Sequence, residues 1–210
     1  MKLYDYLLDN YKVNEPIFLY DIDIKGKSQN AIKLEMKNLY KNKKIDKFDR
    51  GIYYFSKPTE FGFNSTLSLY DVINKKYLTD KQGNTIGYLT DISFANNLQL
   101  TTQRAMYYTI RTNKATKSIE KKIINNTLIV IKKPRTLITN KNYKILQLLD
   151  LFTDRYFIEI EDMKEVFNTI RNYMSTNKIK MEDLKKYYVF YPERLYKNMY
   201  EMGLLNETIR

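Results

Sequence analysis

Residues 25–55, KGKSQNAIKLEMKNLYKNKKIDKFDRGIYYF, constrain the fold of this 210-residue chain more than any other stretch. Ser28 is a helix N-cap, its hydroxyl able to accept a backbone N–H of the first turn. Ile32, Met36, Leu39 and Tyr40 fall at i, i+4, i+7 and i+8, which predicts a helix to about Asn42 with one apolar stripe. The face turned away carries Gln29, Asn30, Lys33, Lys37 and Lys41. These lysines recur every four residues and stand one above another, and the two amides at the helix start can both donate and accept. Residues 45–55 then alternate in two short segments around Asp49-Arg50-Gly51, a hairpin whose turn glycine can take a positive φ. A helix with such a face followed by a hairpin is the closing half of a winged helix-turn-helix, with Lys47 and Arg50 on the wing. A lysine-rich face alone is more often simply solvated. The cap, stripe, amides and basic hairpin in this order favour a DNA groove.

The remainder of the module is read backwards from that helix. Leu3, Tyr6, Leu7 and Asn10 share one side of a first helix over residues 2–11, and Glu15-Pro16 predicts a second over residues 17–22. Gly26 lies in the turn that follows, and three helices and a wing are complete by about Ser56. Gly26-Lys27-Ser28 copies the end of a P-loop, but Asp21 stands where that loop's first glycine belongs and would repel phosphate. Asp21 and Asp23 lack a third metal ligand of obvious spacing and read as a solvated helix end.

Charge is informative through its distribution. The net charge is +12, but Lys, Asn, Ile and Tyr are abundant together and all have AT-rich codons, so the total partly reflects genome composition. Between residues 25 and 57, ten Lys or Arg face Glu35, Asp46 and Asp49, whereas after residue 141 the signs nearly cancel. That asymmetry suits a polyanion at one end and a protein, or nothing, at the other. Cysteine and histidine are both absent, which removes disulfides, thiolate metal sites and the usual general base. Neither a metal nor a cofactor is expected. An enzyme acting on nucleic acid would need a metal held by carboxylates such as Asp21, Asp23, Glu159 or Asp162. With 43% hydrophobic residues the chain can bury a real core. Neither a signal-like apolar run at the start nor a membrane-length segment is visible, so a cytoplasmic, membrane-free protein is expected.

Residues 56–65 have the turn chemistry of an interdomain linker, and Phe61 and Phe63 suggest that it packs. The expected division is a DNA-binding domain over residues 1–57 and a C-terminal domain over 64–210. In the latter, helices are predicted over 67–78 and 91–98, with a turn at 81–84 and a short strand at 85–88. Strands follow over 104–111, with Met106, Tyr108 and Ile110 on one face, and over 127–131. Between those two, Lys114, Lys117, Lys121 and Lys122 accompany Ile119, Ile123 and Ile124 as a basic amphipathic helix. With Lys132, Lys133 and Arg135 they form a second positive patch, equally compatible with a solvated surface and with a site for nucleic acid or an acidic partner. Thr139-Asn140 is expected to cap a helix over 141–152, and helices are expected over 159–173 and 181–191 and from Pro192 to Gly203. Glu159, Glu161, Asp162 and Glu165 read as acidic residues complementing a helix start. The fold class is α+β: a winged helix-turn-helix followed by a mixed α/β, mostly helical C-terminal domain.

Leu39, Ile45 and Gly51-Ile52-Tyr53 follow one another as in the N-terminal wing of a known family. Leu100-Thr101-Thr102-Gln103, Thr112-Asn113, Ile131-Lys132-Lys133-Pro134-Arg135, and Thr139-Asn140 before Leu146-Gln147-Leu148-Leu149-Asp150 extend the likeness outside any generic DNA-binding module. In these features the chain resembles the AbiEi family of antitoxins from type IV bacterial toxin–antitoxin systems over roughly residues 1–150. The segments Tyr191-Pro192-Glu193-Arg194-Leu195-Tyr196 and Gly203-Leu204-Leu205 are similar to the family's tail. Asn42-Lys43 stands where the family usually has a glycine before the wing, and an arginine common on the recognition helix is absent near Lys37-Asn38. The resemblance implies a non-enzymatic protein with two jobs. Its N-terminal domain would bind repeats upstream of its own operon and repress it. Its C-terminal domain would counteract a cognate AbiEii-type nucleotidyltransferase toxin, without a stable complex. On the residues alone, an operon regulator whose C-terminal domain senses a ligand or dimerises is the competing reading. The DNA contacts expected are Ser28, Gln29, Asn30, Lys33, Lys37, Lys41, Lys47 and Arg50.

Overall fold

The computed structural model describes residues 2–103, 105–154 and 163–205. The architecture is mixed α+β, with two separate sheets in two compact units, residues 1–76 and 77–210.

In the first unit, α1 (Leu3–Asn10) buries Leu3 and Leu7, and α2 (Gln29–Lys41) buries Ile32 and Met36. Ile17, Ile22, Ile24, Ile45, Tyr53 and Phe55 complete the core between them. The Ser28 hydroxyl accepts the Ala31 N–H at 3.2 Å, the cap that its position promised. Tyr40, placed on the apolar stripe by its spacing, is 45% exposed, so the stripe ends at Leu39. Residues 17–22 are not a helix. Ile17–Phe18 is strand β1, paired antiparallel with Tyr53 and Ile52, and a single 3-10 turn follows over Leu19–Asp21. Both β1 residues are wholly buried, a demand that pairing into a sheet meets and an amphipathic surface helix does not. β2 (Asp46–Asp49) and β3 (Ile52–Tyr54) form the expected hairpin, bulged between Lys47 and Asp49, with Gly51 at φ +74° in the turn. The sheet order is β1-β3-β2.

The end of α2 is a Schellman turn. The Lys44 N–H donates to the Leu39 carbonyl and the Lys43 N–H to that of Tyr40, with Lys43 in the left-handed region at φ +54°. Residues 57–65 turn back on themselves, with Pro58 bridged to Asn64 and the Ser65 hydroxyl donating to Asn14 Oδ1. Polar bonds hold this loop: Phe61 and Phe63 are exposed, contrary to the packing expected of them. The unit continues beyond the hairpin through α3 (Leu69–Ile73), which runs on as a π turn over Asn74–Leu78. Lys75 Nζ bonds Glu15 Oε1 at 2.7 Å and the Pro16 carbonyl at 2.8 Å, so the unit closes at residue 76 and not at the 57–64 segment.

The second unit holds a four-stranded sheet ordered β4-β5-β7-β6, built from β4 (Gly87–Leu89), β5 (Tyr107–Thr112), β6 (Ile119–Ile124) and β7 (Thr127–Lys132). β5 and β7 are parallel and the other pairs antiparallel. Gly87 leaves no room for a side chain, since a Cβ there would lie 2.6 Å from the Tyr77 carbonyl oxygen and 2.7 Å from that of Arg111. The basic helix expected between the strands is instead β6, joined to β7 by Asn125-Asn126, both at positive φ. Asparagine tolerates that conformation in a two-residue hairpin turn, and β-branched Ile119, Ile123 and Ile124 suit a strand. Met106 precedes β5 and is exposed; Arg104 lies outside the described residues.

Helices α4 (Asp91–Asn97), α5 (Tyr143–Thr153), α6 (Met163–Thr176), α7 (Met181–Lys185) and α8 (Arg194–Glu201) form the rest. α5 starts at its cap Asn142, whose side chain accepts the Thr139 N–H, while Asn140 accepts the Thr85 N–H. It is buried all round, with Leu146, Leu148, Leu149 and Phe152 packed against Val166, Leu184, Leu195 and Met199. Of the expected 159–173 helix, Glu159, Glu161 and Asp162 lie outside the described residues.

Candidate nucleic-acid interface

The amides and lysines of α2 all reach solvent, because burial of Ile32 and Met36 turns the opposite face outward. Beside its first two turns lies a concavity of about 520 Å3. Gln29 and Lys33 line it from α2, Lys47 and Arg50 from the hairpin, and Tyr20 and Lys76 from stretches before and after. Leu19, Gly51, Ile52 and Tyr53 complete it, Leu19 donating its N–H to the Gly51 carbonyl at 2.9 Å. Burial, with Tyr40 adding to it, pushes the Tyr53 hydroxyl above its ordinary value, which keeps it a donor.

Among the described residues that line this groove, four are cations and none is a carboxylate. Like charges facing one space raise the local positive potential and favour an anion there. Lys27 and Lys44 of the same stretch, outside the groove, have partners within the fold. Lys27 Nζ bonds both Glu35 oxygens at 2.6 and 2.7 Å, and Lys44 sits 4.7 Å over the Tyr4 ring.

The geometry sorts the expected contacts. Gln29, Lys33, Lys47 and Arg50 come together; Asn30, Lys37 and Lys41 are exposed on α2 outside the concavity. Ser28 is committed to the cap, and Gln29 Nε2 donates to the Ile22 carbonyl at 3.0 Å, which braces the helix start. Tyr20 and Lys76 carry no local sequence signal. Their approach depends on the chain's return through α3, which spacing does not encode.

The second basic cluster divides. Tyr88, Arg111 and Lys132 are register partners across β4, β5 and β7, forming one row on one face. Helices answer that row with carboxylates. Asp150 of α5 lies 2.6 Å from Arg111 Nε and accepts the Tyr88 hydroxyl at 2.8 Å, and Asp91 of α4 pairs with Lys132. Arg135 Nε is 3.5 Å from Asp150, its guanidinium 5.0 Å over the Tyr191 ring. Burial opposes charge at Arg111, but Asp150, Tyr88, Tyr191 and Asp91 together outweigh it and hold the guanidinium above its ordinary value. Asp91 adopts φ +53°, an uncommon conformation held here by its buried pair. Lys132 and Arg135 are therefore structural charges. Lys114, Lys117, Lys121, Lys122 and Lys133 remain exposed around the edge strand β6, with Lys122 paired to Glu120 at 3.1 Å.

No protein-family model matches the sequence, and no curated protein matches it. Among the described residues no three carboxylates gather as a metal site would require, and no helix is long and apolar enough to cross a membrane.

Proposed function

We propose that the chain binds double-stranded DNA through its N-terminal unit and is the antitoxin of a type IV toxin–antitoxin system. In this reading residues 1–57 are a winged helix-turn-helix, α2 is the recognition helix, and the β2–β3 hairpin is the wing. The observation that carries it is the groove between α2 and that hairpin, whose described lining residues include four cations and no carboxylate. The order of α2, its hairpin and the β1-β3-β2 sheet supports it, with the 3-10 turn over Leu19–Asp21 taking the place of the helix before the recognition helix. Asn30 meets a base edge, Lys33, Lys37 and Lys41 follow phosphates, and Arg50 reaches the backbone or minor groove. The C-terminal unit counteracts a nucleotidyltransferase toxin, and the protein represses its own operon; these two statements rest on the resemblance carried by residues 100–103, 112–113, 131–135 and 139–150.

The test is growth of cells expressing the gene adjacent to this one, with the intact chain or with Lys33→Ala/Arg50→Ala supplied separately. Rescue by both chains, with operon repression lost in the variant alone, is the expected result. Absence of toxicity would favour the plain operon regulator. That second reading has one observation of its own, a groove of about 350 Å3 in the C-terminal unit lined by Phe167, Met174, Ile179 and Met181, within the size range of small-molecule sites.

A further inference from the structure

The groove reaches beyond a recognition helix and a wing. Its third side comes from residues that close the N-terminal unit, and Lys76 is the cation there. The Phe18 and Tyr20 rings stack at 5.4 Å and 19°, and Lys76 Nζ stands 5.8 Å from the one centroid and 6.0 Å from the other. An ammonium at that range over two aromatic faces is attracted by their quadrupoles, which hold it beside the groove. Tyr20 is 61% exposed, so its ring forms part of the groove's wall and not of the core. Lys33, Lys47, Arg50 and Lys76 therefore reach one concavity from three separated stretches of chain.

We infer that this concavity is a phosphate site in which Lys76, positioned by Phe18 and Tyr20, joins Arg50, Lys33 and Lys47 around one backbone phosphate of the bound duplex. The inference rests on the reading of the N-terminal unit as a DNA binder and adds a contact outside the helix and hairpin. Arginine and lysine both take phosphate oxygens, the former in a planar fork and the latter as a point charge, so a mixed set can surround a tetrahedral anion. A phosphate contact fixes register on the duplex and carries no sequence information. Lys76 consequently contributes alike to every sequence.

The experiment measures binding of the full chain to a labelled duplex from upstream of its gene and to a scrambled duplex, across a salt series. Wild type is compared with Lys76→Gln, Lys76→Arg and Lys57→Gln, the last removing a charge from the exposed loop after the hairpin. Lys76→Gln should weaken both duplexes equally and reduce the slope of log affinity against log salt by about one unit. Lys76→Arg should keep the wild-type slope, and Lys57→Gln should leave it unchanged. An unaltered slope in Lys76→Gln, or an equal loss in Lys57→Gln, overturns the inference while leaving DNA binding intact. A wild-type chain that binds neither duplex overturns the DNA reading itself. In that case, or should Lys76→Gln misfold, inorganic phosphate is titrated into the labelled wild-type chain and followed by NMR. Shifts confined to the Gly51 amide and the Gln29, Tyr20 and Lys76 signals uphold the phosphate site, and no shift overturns it.

Discussion

The two units use the same cations in opposite ways. In the N-terminal groove Lys33, Lys47 and Arg50 line a concavity whose described lining residues include no carboxylate. In the C-terminal unit Arg111, Lys132 and Arg135 are drawn under helices and matched to Asp150 and Asp91, of which Asp150 is fully buried. A guanidinium in water needs no partner, whereas one removed from water is tolerable only beside a counter-charge. Whether a basic residue is available to a ligand or consumed by the fold is thus decided by burial and the nearest carboxylate. Composition cannot make that distinction.

Breaking the contrast from its buried side should give the largest effect. Asp150→Ala would strand Arg111 and Arg135 and leave the Tyr88 hydroxyl without its acceptor, a loss of about 3–5 kcal/mol read from the urea midpoint. Lys33→Ala, which removes a cation of the other class, should move that midpoint by no more than about 0.5 kcal/mol. On the exposed side, Asn30→Ala should cost about 1–3 kcal/mol on the upstream duplex and little on a scrambled one, measured by anisotropy. Equal loss on both would remove Asn30 from base readout. Lys37→Ala should instead weaken both duplexes and lower the salt slope by about one unit.

Smaller effects sharpen the account of the scaffold. Lys43 occupies a left-handed position that glycine adopts without strain, so Lys43→Gly should stabilise the N-terminal unit by about 1 kcal/mol in thermal melts. At Glu15, burial pushes the carboxyl up, but bonds from Lys75 and the Lys12 N–H prevail and hold it below the usual glutamate range. Its folded value is thus lower than its unfolded one. The stability it contributes is present above the unfolded value and is lost as pH falls through the folded value. Glu15→Gln should flatten the acid limb of stability against pH below about pH 4.5, and an unchanged limb would remove Glu15 from it.

Local signals in the chain were followed where they acted alone. The Ser28 cap, the Ile32–Met36 stripe and the Gly51 turn needed only neighbours, and α2 with its hairpin stands where they indicated. Ile17 and Phe18 misled because Pro16 is equally at home before a helix or a strand, and pairing with β3 decided the outcome. Ile119, Ile123 and Ile124 have a spacing that fits a helix and an alternate strand equally, and the Asn125-Asn126 turn settled it. Of the groove, Lys33, Lys47 and Arg50 were legible because they sit on adjacent elements. Lys76 and Tyr20 were not, since their approach depends on the chain returning through α3. The Arg111–Asp150 pair was hidden for the same reason: neither residue differs locally from a solvated charge.

The most direct test of the groove as a DNA-binding surface is the salt dependence of duplex binding by the full chain and by Lys33→Ala/Arg50→Ala. Two lost phosphate contacts should make the slope shallower by about two units, on upstream and scrambled duplexes alike, with the thermal melt unchanged. An identical slope in the two proteins, or a wild type that binds no duplex, would contradict the account.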